Sequence, residues 1–178
     1  MTEAELIARA VAADDRSAFG ALVRSHQSSV RHFLRRLTRG DTAQADDLAQ
    51  ETFLRAYRGL ARFERRASFS TWLLGIAHNL WRNDRRKPRA ISLEAEHLDT
   101  LEPEPSPAPA ADFRADLEKA LLALSPEERT VVHLCHQQGF THDEAAAILQ
   151  IPLGTVKTHL HRGRDSLRRH LAPWNPTH

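Results

Sequence analysis

Residues Phe140 to Arg169 read FTHDEAAAILQIPLGTVKTHLHRGRDSLRR, two short helical patterns separated by a tight break. Thr141 and Glu144 have the T-x-x-E spacing of a capping box, in which side chains satisfy the unpaired N–H groups of a helix start. Ala145, Ala146 and Ala147 are small enough for another helix to cross closely, and Ile148 and Leu149 supply apolar anchors. Pro152 and Gly154 interrupt the pattern. A second helix then sets Val156, Leu160, Leu167 and Leu171 on one apolar stripe. Lys157, His161, Arg164 and Arg168 run beside that stripe, and Thr158, Arg162 and Arg169 lie further round. A helix held by one face and presenting Lys, Thr, His and Arg on the other suits base edges and phosphates in a major groove. The alternative is a plain helical hairpin with a solvated basic face.

Working outward, 178 residues suffice for one ordinary domain or two small ones, and 41% hydrophobic residues permit real cores. Few aromatics and only 7 glycines, with abundant Ala, Leu, Arg and Glu, favour helix over sheet, so the expected fold class is all-α. Net charge is only +2, yet residues 82–89 (RNDRRKPR) and 157–169 each concentrate bases, while the first fifteen residues hold Glu3, Glu5, Asp14 and Asp15. Local basic patches on a nearly neutral chain point to nucleic acid. A single cysteine excludes an internal disulfide framework. The start MTEAELIARA lacks the charge and apolar core of a secretory signal, and no run of 18 apolar residues occurs, so a cytoplasmic, soluble chain is expected.

LEPEPSPAPAA (101–111) is Pro- and Ala-rich without helical period, which suggests an extended connector. The expected organisation is a domain at 1–88, a linker at 89–111 and a second domain at 112–178. In the first domain, Leu6, Ile7, Ala10 and Val11 begin an amphipathic series that Phe19 to Leu37 continues up to Gly40 and Asp41. Asp41 and Gln44 can cap the next helix, whose apolar face is Leu48, Thr52, Phe53, Ala56, Tyr57 and Leu60 and whose polar face is Asp46, Asp47, Gln50, Glu51, Arg55 and Arg58. Phe63 to Ser70 resembles a loop and Thr71 to Lys87 a helix. Ser125-Pro126-Glu127-Glu128 is another helix start.

Catalytic patterns are missing: no Gly-rich phosphate loop, no G-x-S-x-G, no H-E-x-x-H. The protein is expected not to be an enzyme and to need no cofactor. His133, Cys135, His136 and His142 invite a metal reading, but neighbours on a helix point about 100° apart and cannot easily share one ion. No metal site is assigned; a partly buried thiol with surface histidines accounts for the pattern.

DDLAQETFLRAYRGL (46–60), FERRASFSTWLLGIAHNLWRNDRRK (63–87), LSPEERTVVHL (124–134) and THDEAAAILQIPLGTVKTHLHRGRDSLR (141–168) occur in that order. Together they resemble the extracytoplasmic-function group of bacterial sigma-70 RNA polymerase sigma factors. The resemblance implies a promoter-specificity subunit that joins core RNA polymerase and binds promoter DNA, as −35 duplex and −10 single strand. It implies an anti-sigma factor as a further partner and no small-molecule substrate. By motif, Asp46, Asp47, Gln50, Glu51 and Phe53 would dock on polymerase. Phe63, Ser68, Phe69, Ser70 and Asn79 would form the −10 base pocket, with Arg82, Arg85, Arg86 and Lys87 along the strand's phosphates. Lys157, Thr158, His161, Arg162, Arg164 and Arg168 would meet the −35 duplex. Family members often carry Gly and Asp where this chain has Arg65 and Arg66, which adds two charges at the pocket rim. A stand-alone helix-turn-helix regulator is the alternative; it would leave the segments at 46–60 and 63–87 without a purpose.

Overall fold

The computed structural model describes residues 1–86 and 108–174, and among them every regular element is helical. In order, α1 spans Glu3–Ala12, α2 Arg16–Leu37, α3 Thr42–Gly59, α4 Phe69–Arg85, α5 Ala108–Leu122, α6 Pro126–Val132, α7 His142–Leu149 and α8 Leu153–His170. A 3-10 turn (Leu60–Arg62) follows α3, a π-turn (His133–Gln137) continues α6, and a second 3-10 turn (Ala172–Trp174) follows α8. The chain divides into two compact units, one holding α1–α4 and one holding α5, α6, the start of α7 and α8, with Ala147–Leu149 grouped with the first.

The expected connector falls largely outside the described residues. Its last four positions, 108–111, belong instead to α5. Pro109 does not oppose this, because a first-turn N–H has no intrahelical partner and its loss there is harmless.

In the first unit, local chemistry sets each helix start. Thr2 and Glu5 form a capping box on α1, and Asp41 accepts the Gln44 N–H at the head of α3. The Asp15 carboxylate caps α2 and is held at about 2 by the Ser17 hydroxyl, the Ala18 N–H and Arg9. These four helices bury Leu22, Val30, Phe33 and Leu34 of α2 against Leu73, Leu74 and Ala77 of α4, with Ala45, Leu48, Thr52 and Ala56 of α3 completing the core. Buried Thr52 returns its hydroxyl to Leu48 C=O at 2.7 Å, so no polar group is stranded there. The Gln44 side-chain amide donates to Asp84 at 2.7 Å, which ties the start of α3 to the end of α4.

In the second unit, Ser125–Glu128 and Thr141–Glu144 both close reciprocal capping boxes. Val131 and Leu134 are fully buried, as is Val156. α6 and α8 cross closely at Gly163, where a Cβ would lie 2.9 Å from Val132 Cγ2. Phe113 and Trp174 meet edge to face at 5.3 Å, and the Trp174 indole N–H donates to Asp116 at 3.1 Å.

Candidate nucleic-acid interface

α8 separates its two tasks by face. Val156, Leu160 and Gly163 are buried, whereas Lys157, Thr158, His161, Arg162, Arg164 and Arg168 are all exposed. Leu167 and Leu171 are only half-buried, so the apolar stripe loosens towards the end of the helix. The left-handed break before α8 is made by Gln150, at φ 55 and ψ 44. Pro152 is the N-cap, and Gly154 lies inside the first turn of α8 rather than in the break. Nothing approaches the position a Gly154 side chain would take, and Gly154 C=O accepts the Thr158 hydroxyl at 2.9 Å. Asp165 interrupts the basic face, 3.3 Å from His161 and 3.6 Å from Arg168.

The loop and helix at 63–86 are less cleanly divided. α4 begins at Phe69, two residues earlier than expected, because Ser68 accepts the Thr71 N–H at 3.1 Å and caps it. Phe69 and Ser70 are therefore first-turn helical residues. Phe69 is only 2% exposed; it carries Phe63 and Trp72 on one side and the edge of His26 on another, with centroids 5.3–5.6 Å away. The ring supports the aromatic patch from beneath and has no surface to offer a base. Phe63 and Trp72 are half-buried, with centroids 5.0 Å apart. Half-buried Trp72, Ile76, Asn79 and Arg82 share the outward stripe of α4 with exposed Arg86. Asn79 accepts a hydrogen bond from Arg82 at 3.3 Å. Exposed Arg85 lies about 120° round from Asn79, with its guanidinium 5.2 Å over Trp81. Lys87 lies outside the described residues.

The two rim arginines are tethered. Arg65 adopts φ 56, the left-handed region where glycine is at ease, and reaches Ala4 C=O at 3.4 Å. Arg66 is paired with Glu64 at 2.7 Å. On α3, Asp47 and Gln50 are exposed, Asp46 lies 3.2 Å from Arg31, and Glu51 is paired with Arg55 at 2.7 Å. Phe53 and Tyr57 are half-buried rather than core. With Gln50, Leu54, Phe19 and Val23 they line an apolar groove of about 500 Å³ between α2 and α3, at which Leu54 is 51% exposed.

Residues 22–91 match the Sigma-70 region 2 family and residues 114–167 the Sigma-70 region 4 family. The chain is 33% identical over 171 residues to the ECF sigma factor SigW of Bacillus subtilis, covering 88% of this chain and 90% of that one. The chain belongs to the extracytoplasmic-function group of RNA polymerase sigma factors. It is also 38% identical over 158 residues to ECF sigma factor SigE of Mycolicibacterium smegmatis, across 85% of this chain and 60% of that longer protein. The solved structure of CnrH in complex with the cytosolic domain of CnrY superimposes at a TM-score of 0.65 and 26% identity, covering 94% of this chain and 96% of CnrH. A sigma factor of this kind directs polymerase to promoters, with core polymerase and promoter DNA as its partners. Matches in both units disfavour the stand-alone regulator, which accounts for only the second.

Within this sigma factor the histidine and cysteine series is divided: His133 is buried, Cys135 and His142 are half-buried and His136 is exposed. His133 Nδ1 meets Gln137 Oε1 at 2.5 Å and Nε2 meets the Gln138 amide at 2.8 Å, a pattern that fits a neutral ring protonated on Nδ1. Burial pushes the Cys135 thiol above its ordinary pKa. Among the described residues no three His, Cys, Asp or Glu side chains converge as metal ligands, and no helix is long and apolar enough to cross a membrane. Sequence reasoning missed four contributors: His26 beneath Phe69, Arg65 bent back to α1, Gly163 at the α6–α8 crossing, and the groove formed with α2. Only Gly163 left a trace, as a glycine among bases on the apolar side of α8.

Proposed function

We propose that residues 1–88 dock on core polymerase and hold the −10 strand, that residues 108–178 read the −35 duplex, and that 89–107 links them. The observation that carries this is the division of α8, where every residue expected at the duplex is exposed and the opposite side is packed. Lys157, Thr158 and His161 read base edges, and Arg162, Arg164 and Arg168 meet phosphates. In the first unit the half-buried rings of Phe63 and Trp72 offer faces for an unstacked base, Ser68 and Ser70 border it, and Asn79 pairs with a base edge. Arg82 and Arg86 follow the backbone, with Lys87 next in sequence. Asp46, Asp47, Gln50 and Glu51 present an acidic stripe beside the apolar groove that includes Phe53, a combination suited to a basic helical partner. The protein acts in the cytoplasm, without chemistry of its own. CnrH, a similar chain, is bound by the cytosolic domain of CnrY; by likeness we assign this chain a protein inhibitor of the anti-sigma kind.

The test is reconstitution. Purified protein should co-elute with core polymerase and start transcription on promoters selected from a random library. Asp47→Arg with Gln50→Ala should abolish co-elution without unfolding the protein, since both side chains are exposed and charge reversal at a complementary interface costs several kcal/mol. Unchanged co-elution would remove α3 from the interface.

A further inference from the structure

The loop between Phe63 and Ser68 carries the proposed −10 pocket, and it is held from a distance by α1. Leu6, Ile7 and Ala10 bury the inner face of α1, and the Tyr57 hydroxyl bonds to Asp14 just beyond its end, so α1 is itself anchored. Two connections run from α1 to the loop. One is direct: Arg65, at the left-handed bend, donates to Ala4 C=O at 3.4 Å. The other is relayed. Glu3 meets His26 Nε2 at 2.7 Å, His26 stands edge-on to Phe69 at 5.3 Å, and Phe69 supports Phe63 and Trp72. An edge-to-face contact fixes the tilt of the ring beneath it, and the tilt of Phe69 sets the surface that Phe63 and Trp72 show. The Sigma-70 region 2 match begins at residue 22, after α1 has ended.

We propose that α1 braces the −10 recognition loop, with Glu3, His26 and Arg65 as positioning residues that set its geometry without touching DNA. This rests on the assignment of 63–86 to the −10 strand. A pocket for a flipped base works only when its walls are held in place by a supporting shell. Here that shell comes from a helix about sixty residues upstream of the loop.

The experiment uses full-length protein reconstituted with core polymerase on a promoter fragment selected by the wild-type holoenzyme. Permanganate reactivity of the −10 thymines reads strand opening, co-elution reads core binding, and a −35 duplex alone reads the second unit. Glu3→Ala with Arg65→Ala should reduce opening about fivefold, the effect of losing roughly one net polar contact. Core binding and −35 binding should stay at wild-type levels. Glu3→Gln with Arg65→Lys, which keeps an acceptor and a donor in place, should recover most of the opening. Asn79→Ala serves as the reference for a direct base contact. If Asn79→Ala loses opening while the Glu3/Arg65 double variant keeps it, the brace is overturned and the −10 assignment survives. If neither loses it, both fall. Core binding that drops in step with opening also overturns the brace, since α1 would then merely hold the unit together.

Discussion

α8 and α4 are both helices that meet DNA in the proposed function, yet they combine packing and recognition in opposite ways. On α8 the two jobs occupy opposite faces: Val156 and Leu160 inward, Lys157 and His161 outward. On α4 and the loop before it they are layered. Phe69 is core, Phe63 and Trp72 rest on it half-buried, and Asn79 lies further along the same outward stripe. A duplex offers its groove ready-made, so an outward row of polar side chains is enough. An unstacked base needs an apolar cavity, and that cavity must be taken out of the hydrophobic core. The comparison implies that damage to recognition and damage to stability separate on α8 and coincide on α4.

The largest effect should come from Phe69→Ala. Truncating this buried ring should cost the first unit about 3–5 kcal/mol, and chemical denaturation followed by circular dichroism should show that loss together with lost promoter opening. A variant of normal stability that fails only in opening would place the ring at the DNA and break the comparison. Next comes Gly163→Leu, the one recognition-helix position where α8 behaves like α4. Its side chain meets Val132 and Glu128, so overpacking should cost the second unit about 2–3 kcal/mol. The remaining −35 binding should keep its sequence preference; a changed preference would mean Gly163 faces the groove.

Lys157 and Arg168 sharpen the α8 side. Lys157→Ala should change which −35 sequences are used, by about 1–3 kcal/mol at the best base pair, with unfolding unaffected. Arg168→Ala should weaken all promoters alike and lower the salt slope by about one unit. The reverse division, read on a −35 library at several salt concentrations, would invert the docked helix. The smallest effect belongs to His78, buried on α4 against Trp81 with its Nδ1 unpartnered. Burial first, and Arg82 second, lower its pKa from 6.5 to about 4. The unfolded chain therefore binds more protons between those values, and this contribution is complete above pH 6.5 and lost as pH falls towards 4. His78→Gln should flatten the decline in stability between pH 7 and pH 5.5 by about 1 kcal/mol; an identical decline in both proteins would show the ring is accessible to protons when folded.

What could be read from the sequence was local. The caps at Asp41, Ser125 and Thr141 involve a side chain and a backbone N–H three residues on, so spacing alone reveals them. The faces of α8 follow from a period of 3.6 and a single buried stripe. Ser68-x-x-Thr71 carried the same kind of signal and would have moved the start of α4 to Phe69. The remaining features depend on distant partners. Phe69 looked like a pocket wall because nothing nearby in sequence indicates His26, 43 positions upstream, and Arg65 looked like a free rim charge because its acceptor is Ala4. The stacking of Arg85 over Trp81 was not foreseen either. Tertiary contacts of this sort carry no periodicity, and they are concentrated where α4 must pack and recognise at once.

The connections between helices hold one further lesson, about backbone strain. Asp14, Arg39, Arg65 and Gln150 all adopt positive φ, although none is glycine. Each such residue costs about 1 kcal/mol relative to glycine in the same conformation. Arg65 and Asp14 have contacts with other elements that offset this. Gln150 adopts the same conformation at the break before α8, with its side chain exposed and keeping interactions of its own. At each of these turns the chain thus accepts backbone strain that glycine would avoid and keeps a side chain that glycine would lack.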